Sequence, residues 1–511
     1  MSQDCGAYDS PITAWRAHDP TIHTAAALTA ELTAGTLPEA FDRGAAAHPD
    51  SVLTVGDGTR TLGELVVAAR RWAGALEAAG VLRGQPVVLQ AATSGTMVCA
   101  YLGLLITGAP VVLMSPALTT TEFAAIADKS GATLAITDGP VPGQVRRLSI
   151  DELAENARHA TEKVAVATDP NDTALIAFTS GTTGQPKGVP LTHANLLASV
   201  RAVMRAWRWT SADRLVHALP LYHQHGLSGL HATLIAGSSA HILGRFDAVR
   251  LAATIRAQHA TVLFGVPTIY QGLVDAAGVT AEMLDSLRLA TSGSAPLSVG
   301  LFHRVQTELG VTPLERYGLT ETGLDVSNLY DGPRRPGAVG YPLPGVEVRL
   351  GNPDGTPAES GQGEILLRGP QVFAGYLDDP AATAAAFTAE GWFRTGDLGT
   401  VLDDGALAVT GRIKEIIVTG GINVSPVEVE EVLTTHPAVT EAGVAGVPDD
   451  RWGEAVAAWV VVQCPVDIDD LLAHCRERLA PFKCPKRITT VEHLPRNAMG
   501  KIQRNRLVAK P

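Results

Sequence analysis

Ten consecutive residues, Thr179–Gly188 (TSGTTGQPKG), have the make-up of a loop that grips a bulky anion. Gly181, Gly184 and Gly188 let backbone amides approach phosphate oxygens. The hydroxyls of Thr179, Ser180, Thr182 and Thr183 can donate to the same oxygens, and Lys187 adds a positive charge. An apolar run, Ala174–Phe178, precedes the loop and reads as a strand, and a helix is predicted to begin near Asn195. The spacing GxxGxxKG differs from the GxxxxGK of P-loop NTPases, which are disfavoured. Further clusters of glycine with hydroxyl or charged residues follow: Tyr317–Thr322 (YGLTET), Gly391–Gly399 (GWFRTGDLG), Gly411–Pro426 (GRIKEIIVTGGINVSP) and Pro495–Arg504 (PRNAMGKIQR).

Residues so widely separated need a scaffold to bring them together. From Leu37 onward, strand-length apolar runs (Ser51–Val55, Val87–Leu89, Thr133–Thr137) alternate with helical patterns such as Leu62–Ala79. That alternation predicts an α/β fold of parallel sheets covered by helices. It recurs over Leu215–Ala218, Gly226–Ala236, Ala240–Ile242, Leu251–Gln258 and Val262–Phe264. Near Gly345 shorter alternating strands take over (Val346–Leu350, Gly363–Leu367, Leu407–Thr410), as in a small antiparallel or barrel-like subdomain. The expected organisation is a large N-terminal domain over 37–411, a small mobile α+β C-terminal domain over 412–511, and an Ala/Thr-rich arm over residues 1–36 that is irregular or a loosely packed extra helix.

Composition narrows the function classes. The 511 residues are long enough for about two to four domains, and 46% hydrophobic with 18% charged residues excludes wholesale disorder. Forty basic against fifty-two acidic residues leave a net charge of −12, which argues against nucleic acid as a partner. The five cysteines form no CxxC pair, which fits a reducing, cytoplasmic setting. Cys475 and Cys484 lie near His474, but nothing completes a zinc site. The N-terminus has early acids and no apolar core, unlike a signal peptide. From Gly84 to Thr121 no residue is charged, but Gln90, Gly95, Gly103, Gly108 and Pro110 break the run. It reads as strand (Pro86–Gln90), helix (Thr96–Thr107) and strand (Val111–Met114) rather than as a membrane span.

Taken in order, the five clusters resemble the signatures of the adenylate-forming superfamily, which includes acyl- and aryl-CoA ligases, peptide-synthetase adenylation domains and luciferases. The resemblance covers residues 37–508. It implies a two-step reaction: a carboxylate attacks the α-phosphate of ATP to give an acyl-adenylate and pyrophosphate, and a thiol, usually CoA, then displaces AMP. It implies ATP, Mg²⁺ and CoA as reactants and cofactors, with a separate carrier protein as another source of thiol, since no carrier domain follows the last cluster. Lys501 would bridge carboxylate and α-phosphate during adenylation. Glu321 would hold Mg²⁺ on the phosphates with Thr179, and the Thr320 hydroxyl would lie beside it. Tyr317 would lie against adenine, and Asp397 would accept from the ribose hydroxyls with Arg412 assisting. The phosphate loop with Gly181 to Gly184 and Lys187, and Ser294, Ala295, Pro296, Glu315, Arg316 and Gly318, would complete the nucleotide site. Lys414 would be the hinge about which the tail rotates between the two steps. Gly420 and Gly421 would then line the thiol tunnel.

The acid is read from finer likenesses. HALPLYHQHGLSG (His217–Gly229), RFD (Arg245–Asp247), GVPTIY (Gly265–Tyr270) and ERYGLTETGLDVSNLYDG (Glu315–Gly332) are similar to malonyl-CoA and oxalyl-CoA synthetases. The likeness implies that Arg288 and His225 clamp a second carboxylate, with His223, Gly293 and Leu319 in the pocket wall. After YGLTET this chain has Gly323 and Leu324 where the malonate enzymes carry a bulkier pair. The missing side chain predicts a larger pocket, favouring a longer or aromatic acid. Two alternatives follow: an aryl-acid CoA ligase, and an ATP-dependent diazotase of secondary metabolism that activates nitrite for an aromatic amine without CoA.

Overall fold

The computed structural model describes residues 10–56, 58–166, 168–180, 186–358, 361–449, 451–497 and 500–508. Gly181, Thr182, Thr183 and Gly184 of the expected phosphate loop therefore lie outside the described residues, as does the side chain of Ser180.

Two largely parallel sheets form the body. One is six-stranded, in the order Arg146–Leu148, Leu134–Thr137, Val87–Gln90, Val111–Met114, Thr173–Ser180 and Pro186–Thr192. The other is nine-stranded; its centre is Leu314–Tyr317, Leu289–Ser292, Val262–Gly265, Arg214–His217 and Ser239–Ile242, all parallel. The uncharged stretch forms the strand–helix–strand unit its breaks predict. Ser94 caps the helix Gly95–Thr107 by accepting from the Met97 amide, and Gly108 ends it in the left-handed conformation (φ 71°). That helix is buried nearly all round, which explains its apolar composition. Among the described residues no helix is long and apolar enough to cross a membrane, and no cluster of His, Cys, Asp or Glu could hold a metal ion.

The expected small subdomain is a four-stranded antiparallel sheet, Glu347–Gly351, Gln362–Arg368, Phe393–Val401 and Leu407–Arg412. Its apolar residues join the main core through Leu407, whereas a separate core starts at Ile417 beneath the five-stranded tail sheet. On that separation of cores we propose the domain division at 411–412.

The N-terminal segment departs from expectation. Residues 11–33 form helices Pro11–His18 and Ala25–Thr33, and Trp15, Ile22, Leu28 and Leu32 are part of the main core. The Trp15 indole donates to the Val346 carbonyl at 2.7 Å. Arg201, on the helix His193–Ala206, donates to the carbonyls of Glu31, Leu32 and Ala34 and so caps the end of the second N-terminal helix. The arm is thus a tightly packed brace. Its Ala-rich composition carries the helices, and its few aromatic and leucine residues carry the packing.

Arg288 also differs from expectation. It precedes the strand Leu289–Ser292, at the end opposite Ser292, and its guanidinium grips Asp213 with two hydrogen bonds of 2.7 Å. The remaining edge donates to the carbonyls of Trp207 and Arg208. Asp213 is buried and is further held by Thr261 and the Thr210 amide. The fork that suits a substrate carboxylate is here closed on one from the chain itself.

Two predictions follow from this packing. Removing Arg288 strands a buried carboxylate, so Arg288→Ala should lower unfolding stability by about 3 kcal/mol in denaturant titrations, with the KM for acid unchanged. Burial holds His18, His193 and His223 neutral with pKa values of about 4, and His217 and His231 of about 3. Their folded values lie below the unfolded value of 6.5, so their contribution is complete above that pH and is lost as pH falls from 6.5 towards 4. Glu315, Asp325 and Glu430, raised by burial to about 8, 7 and 7, act in the opposite sense but are fewer. Stability measured by denaturant at successive pH values should therefore fall between pH 6.5 and 4.5; a flat or rising profile would refute this.

Candidate active site

The strand Leu314–Tyr317 and the turn after it carry the centre of the site. The Tyr317 hydroxyl donates to Asp397 Oδ2 at 2.7 Å, and Arg412 holds the same carboxylate through Nε and Nη2. Asp397 and Arg412 face each other as register partners on adjacent strands of the four-stranded sheet. Tyr317 lies on the nine-stranded sheet, so one buried carboxylate joins the two bodies. Lys501 is within electrostatic reach of this group: burial lowers its ammonium pKa, as does Arg412, and Glu415 and Asp397 oppose the shift. Adjacent Gly500 packs on Thr268 of the large domain, where an added Cβ would meet Oγ1 at 2.7 Å.

The turn after Tyr317 is tight. A Cβ on Gly318 would lie 2.0 Å from the Gly323 carbonyl, and the Gly323 amide donates to the Leu319 carbonyl at 2.7 Å. Gln224 donates to the Thr320 carbonyl at 2.6 Å. Glu321 is buried, which raises its pKa, and its carboxylate accepts from the Tyr376 hydroxyl at 2.9 Å. Thr179 and Lys187 pair across the hairpin that flanks the phosphate loop. The Lys187 ammonium sits 4.6 Å from the centre of the Tyr376 ring.

Beside this group lies a cavity of about 30 Å³, lined by Ser199, Gln224, His225, His231, Arg316 and Gly323 among others. Arg316 is the arginine at this wall. Its guanidinium lies across Gly293, where a Cβ would come within 2.5 Å of Nε, so a side chain there would have to displace it. Nε and Nη2 of Arg316 are buried without a hydrogen-bond partner, as is Nε2 of His225. Burial lowers the Arg316 pKa to about 9, with Asp325 pulling it back up. His225 Nδ1 meets Ser294 Oγ at 3.1 Å, and Ser294 holds a left-handed φ of 67° to reach it. His223 is the N-cap residue of helix Gln224–Ala236, half-buried and two residues before His225.

The sequence expectations meet this geometry unevenly. Tyr317, Asp397, Arg412 and Lys501 come together, as do Lys187 and Glu321 through Tyr376. Arg316 faces the cavity instead of the Tyr317–Asp397 group. Glu315 accepts from the Gly337 amide and, buried, serves the loop packing. Ser294 bonds to His225, and Ala295 and Pro296 extend the same loop towards solvent. Leu319 is partly buried in the core, and Leu324 lines the cavity. Arg288 is absent from the wall because Asp213 holds it. The larger pocket expected from Gly323 is also corrected. Gly323 has φ 79°, and a Cβ there would meet Ser199 Oγ at 2.4 Å, so serine fills the room that the glycine leaves. Lys414 is exposed on the short helical turn Ile413–Glu415. Gly420 (φ 58°) and Gly421 (φ 80°) are exposed, with the Trp452 ring over Gly420. Ser199, Tyr376 and Asp325 escaped the sequence reading. They stand outside the glycine-rich clusters, though Tyr376 follows a glycine (Gly375) in a segment that ends in acids (Asp378 and Asp379).

Comparisons with known proteins place this geometry. Residues 41–377 match the family described as AMP-binding enzyme, and residues 428–501 match AMP-binding enzyme C-terminal domain. A mitochondrial malonate–CoA ligase of Mus musculus is 40% identical over 373 residues, covering 66% of this chain and 64% of the relative. A CoA ligase of Rhodococcus jostii named for a methyl-dioxo-octahydroindenyl propanoyl substrate is 34% identical, covering 92% of this chain and 98% of the relative. ATP-bound MatB from Rhodopseudomonas palustris superposes with a TM-score of 0.87 at 36% identity, covering 92% of this chain and 98% of MatB. Apo MatB gives 0.77 at 35% identity, with the same coverage. By both domains and over nearly its whole length, the chain belongs to the AMP-binding enzyme family.

Proposed function

We propose that this protein is an acid–CoA ligase of the adenylate-forming type whose acid carries a second anionic group, as in malonate. The observation that carries the choice of acid is the buried guanidinium of Arg316, which has two unpartnered nitrogens and stands in the wall of a small cavity shared with His225. A buried cation with open donors costs free energy until an anion arrives, and a planar fork suits a carboxylate.

The reaction then runs in two steps. The free carboxylate of the acid attacks the α-phosphorus of ATP, pyrophosphate leaves, and an acyl-adenylate remains. Lys501, beside Arg412 and Asp397, would neutralise charge as carboxylate and phosphate approach. Tyr317 and Asp397 would hold the nucleoside, with Lys187 and the loop before it on the phosphates. Glu321 suits Mg²⁺: it is a buried carboxylate, and among the described residues no group of three or more His, Cys, Asp or Glu could hold a metal ion, which fits a cation that takes its other ligands from phosphate and water, with Thr179 on the phosphate side. When bound, Mg²⁺ would offset the phosphate charge. In the second step the CoA thiol attacks the acyl carbon and AMP leaves. Val418, Ile422 and Trp452 stand 47%, 44% and 41% exposed around Gly420 and Gly421. Rotation about Lys414 would turn that apolar face towards the large domain and withdraw Lys501. The closer fit to ATP-bound than to apo MatB supports reading the present arrangement as the one for adenylation. No feature of the chain favours a carrier protein over CoA as the thiol source.

Pyrophosphate release should be measured with malonate, methylmalonate, oxalate, benzoate-type acids and nitrite, each with and without CoA. CoA-dependent turnover of a dicarboxylate is expected. Release on nitrite regardless of CoA would instead make the Arg316–His225 cavity the anion site of a diazotase. Two variants test the roles. Lys501→Ala should abolish pyrophosphate release and leave thiolysis of a supplied acyl-adenylate intact; equal loss of both would remove Lys501 from the first step. Arg316→Met should lower kcat/KM for the dicarboxylate by about a hundredfold, from lost charge-assisted hydrogen bonds, with the KM for ATP within about twofold; equal changes would take Arg316 out of the acid pocket.

A further inference from the structure

The segment Phe373–Leu377 runs between the phosphate hairpin and the turn that carries Glu321, and its backbone is tied to both. The Leu377 amide donates to the Gly188 carbonyl at 2.9 Å, and the Phe373 amide donates to the Glu321 carbonyl at 3.0 Å. Asn195, at the start of the helix behind the hairpin, donates to the carbonyls of Pro370 at 2.8 Å and Val372 at 3.1 Å. Tyr376 is fixed within this segment by its own amide, which donates to Thr383 Oγ1 at 2.9 Å, and by the edge of Phe373, with ring centres 4.9 Å apart. Its side chain then makes two contacts of different kinds. The hydroxyl donates to Glu321 Oε1 at 2.9 Å, and the ring face carries the Lys187 ammonium at 4.6 Å.

We propose that Tyr376 is a positioning residue that sets the spacing between the metal-holding carboxylate and the phosphate-binding cation, its hydroxyl orienting Glu321 and its ring seating Lys187. The proposal rests on the roles given above to Glu321 and Lys187 and adds to them a residue with a part in each. The two groups come from different segments: lysine has a flexible stem, and the buried Glu321 carboxylate has, besides its own backbone amide, the Tyr376 hydroxyl as a donor. A phenol between them meets both needs, through a cation–π contact on its face and a hydrogen bond at its edge.

Tyr376→Phe keeps the ring and removes the hydroxyl, and Tyr376→Leu removes both. These are compared with wild type, Glu321→Gln and Lys187→Ala in pyrophosphate release against Mg²⁺ concentration, in calorimetric binding of ATP with Mg²⁺ or with EDTA, and in thiolysis of supplied acyl-adenylate. For Tyr376→Phe the Mg²⁺ needed for half-maximal release should rise about tenfold, the worth of a hydrogen bond to a charged group. Its binding of ATP in EDTA should match wild type. Tyr376→Leu should in addition bind ATP in EDTA several-fold more weakly. Thiolysis should survive in both. A Tyr376→Phe profile that superposes on wild type in Mg²⁺, or loss of all steps in equal measure, would overturn the proposal even if Tyr376→Leu fails to fold. If Glu321→Gln leaves the Mg²⁺ dependence unchanged, the reading of Glu321 falls and this inference with it. If Glu321→Gln shifts the dependence and Tyr376→Phe does not, the inference alone is wrong.

Discussion

The carboxylate of Asp397 is the point on which the arrangement depends. It is buried, accepts from the Tyr317 hydroxyl and is gripped by Arg412, and Lys501 comes near it from the tail domain. Those groups belong to the nine-stranded sheet, the four-stranded sheet and the C-terminal domain. An ionised group with so little water around it must be fully partnered. That requirement draws the three bodies together more specifically than apolar packing could. The same carboxylate would have to release or share those donors when a nucleoside arrives, so the contact that assembles the site is also one that substrate would reorganise.

A second constraint acts at the cavity beside Arg316. Arg316 lies over Gly293, Ser294 takes a left-handed conformation to meet His225, and Ser199 occupies the space left by Gly323 while its Oγ accepts from the Leu324 amide at 2.9 Å. Deeper still, Asp325 is held by Thr322 and Gln371, and burial raises its pKa to about 7. The charge of Arg316 is therefore only partly answered within the protein. The helix that supplies Ser199 is itself pinned by the N-terminal segment through Arg201. The brace, the helix and the pocket wall thus form one mechanical unit.

Much of this was legible in the sequence, and the failures share a cause. Alternating strand and helix patterns identified the parallel sheets because burial on both faces leaves near-continuous apolar runs. The clusters around Lys187, Tyr317, Glu321, Asp397, Arg412 and Lys501 stood out because glycine beside charged residues is rare in ordinary elements. Arg288 misled because an arginine's partner is invisible along the chain, and Asp213, which claims it, lies 75 residues away. Gly323 misled because an absent side chain says nothing about what moves into its place. Tyr376 was missed because its importance comes from two contacts at long range, to Glu321 and Lys187, and from no local pattern. The brace was underestimated because composition reports neither Trp15 on Val346 nor the cap that Arg201 makes.

The close approach of Arg316 to Gly293 has an evolutionary consequence. A side chain at 293 would meet the Arg316 guanidinium at 2.5 Å and would have to displace it. The two positions are therefore coupled in substitution: a change at 293 is also a change in where the charge at 316 sits.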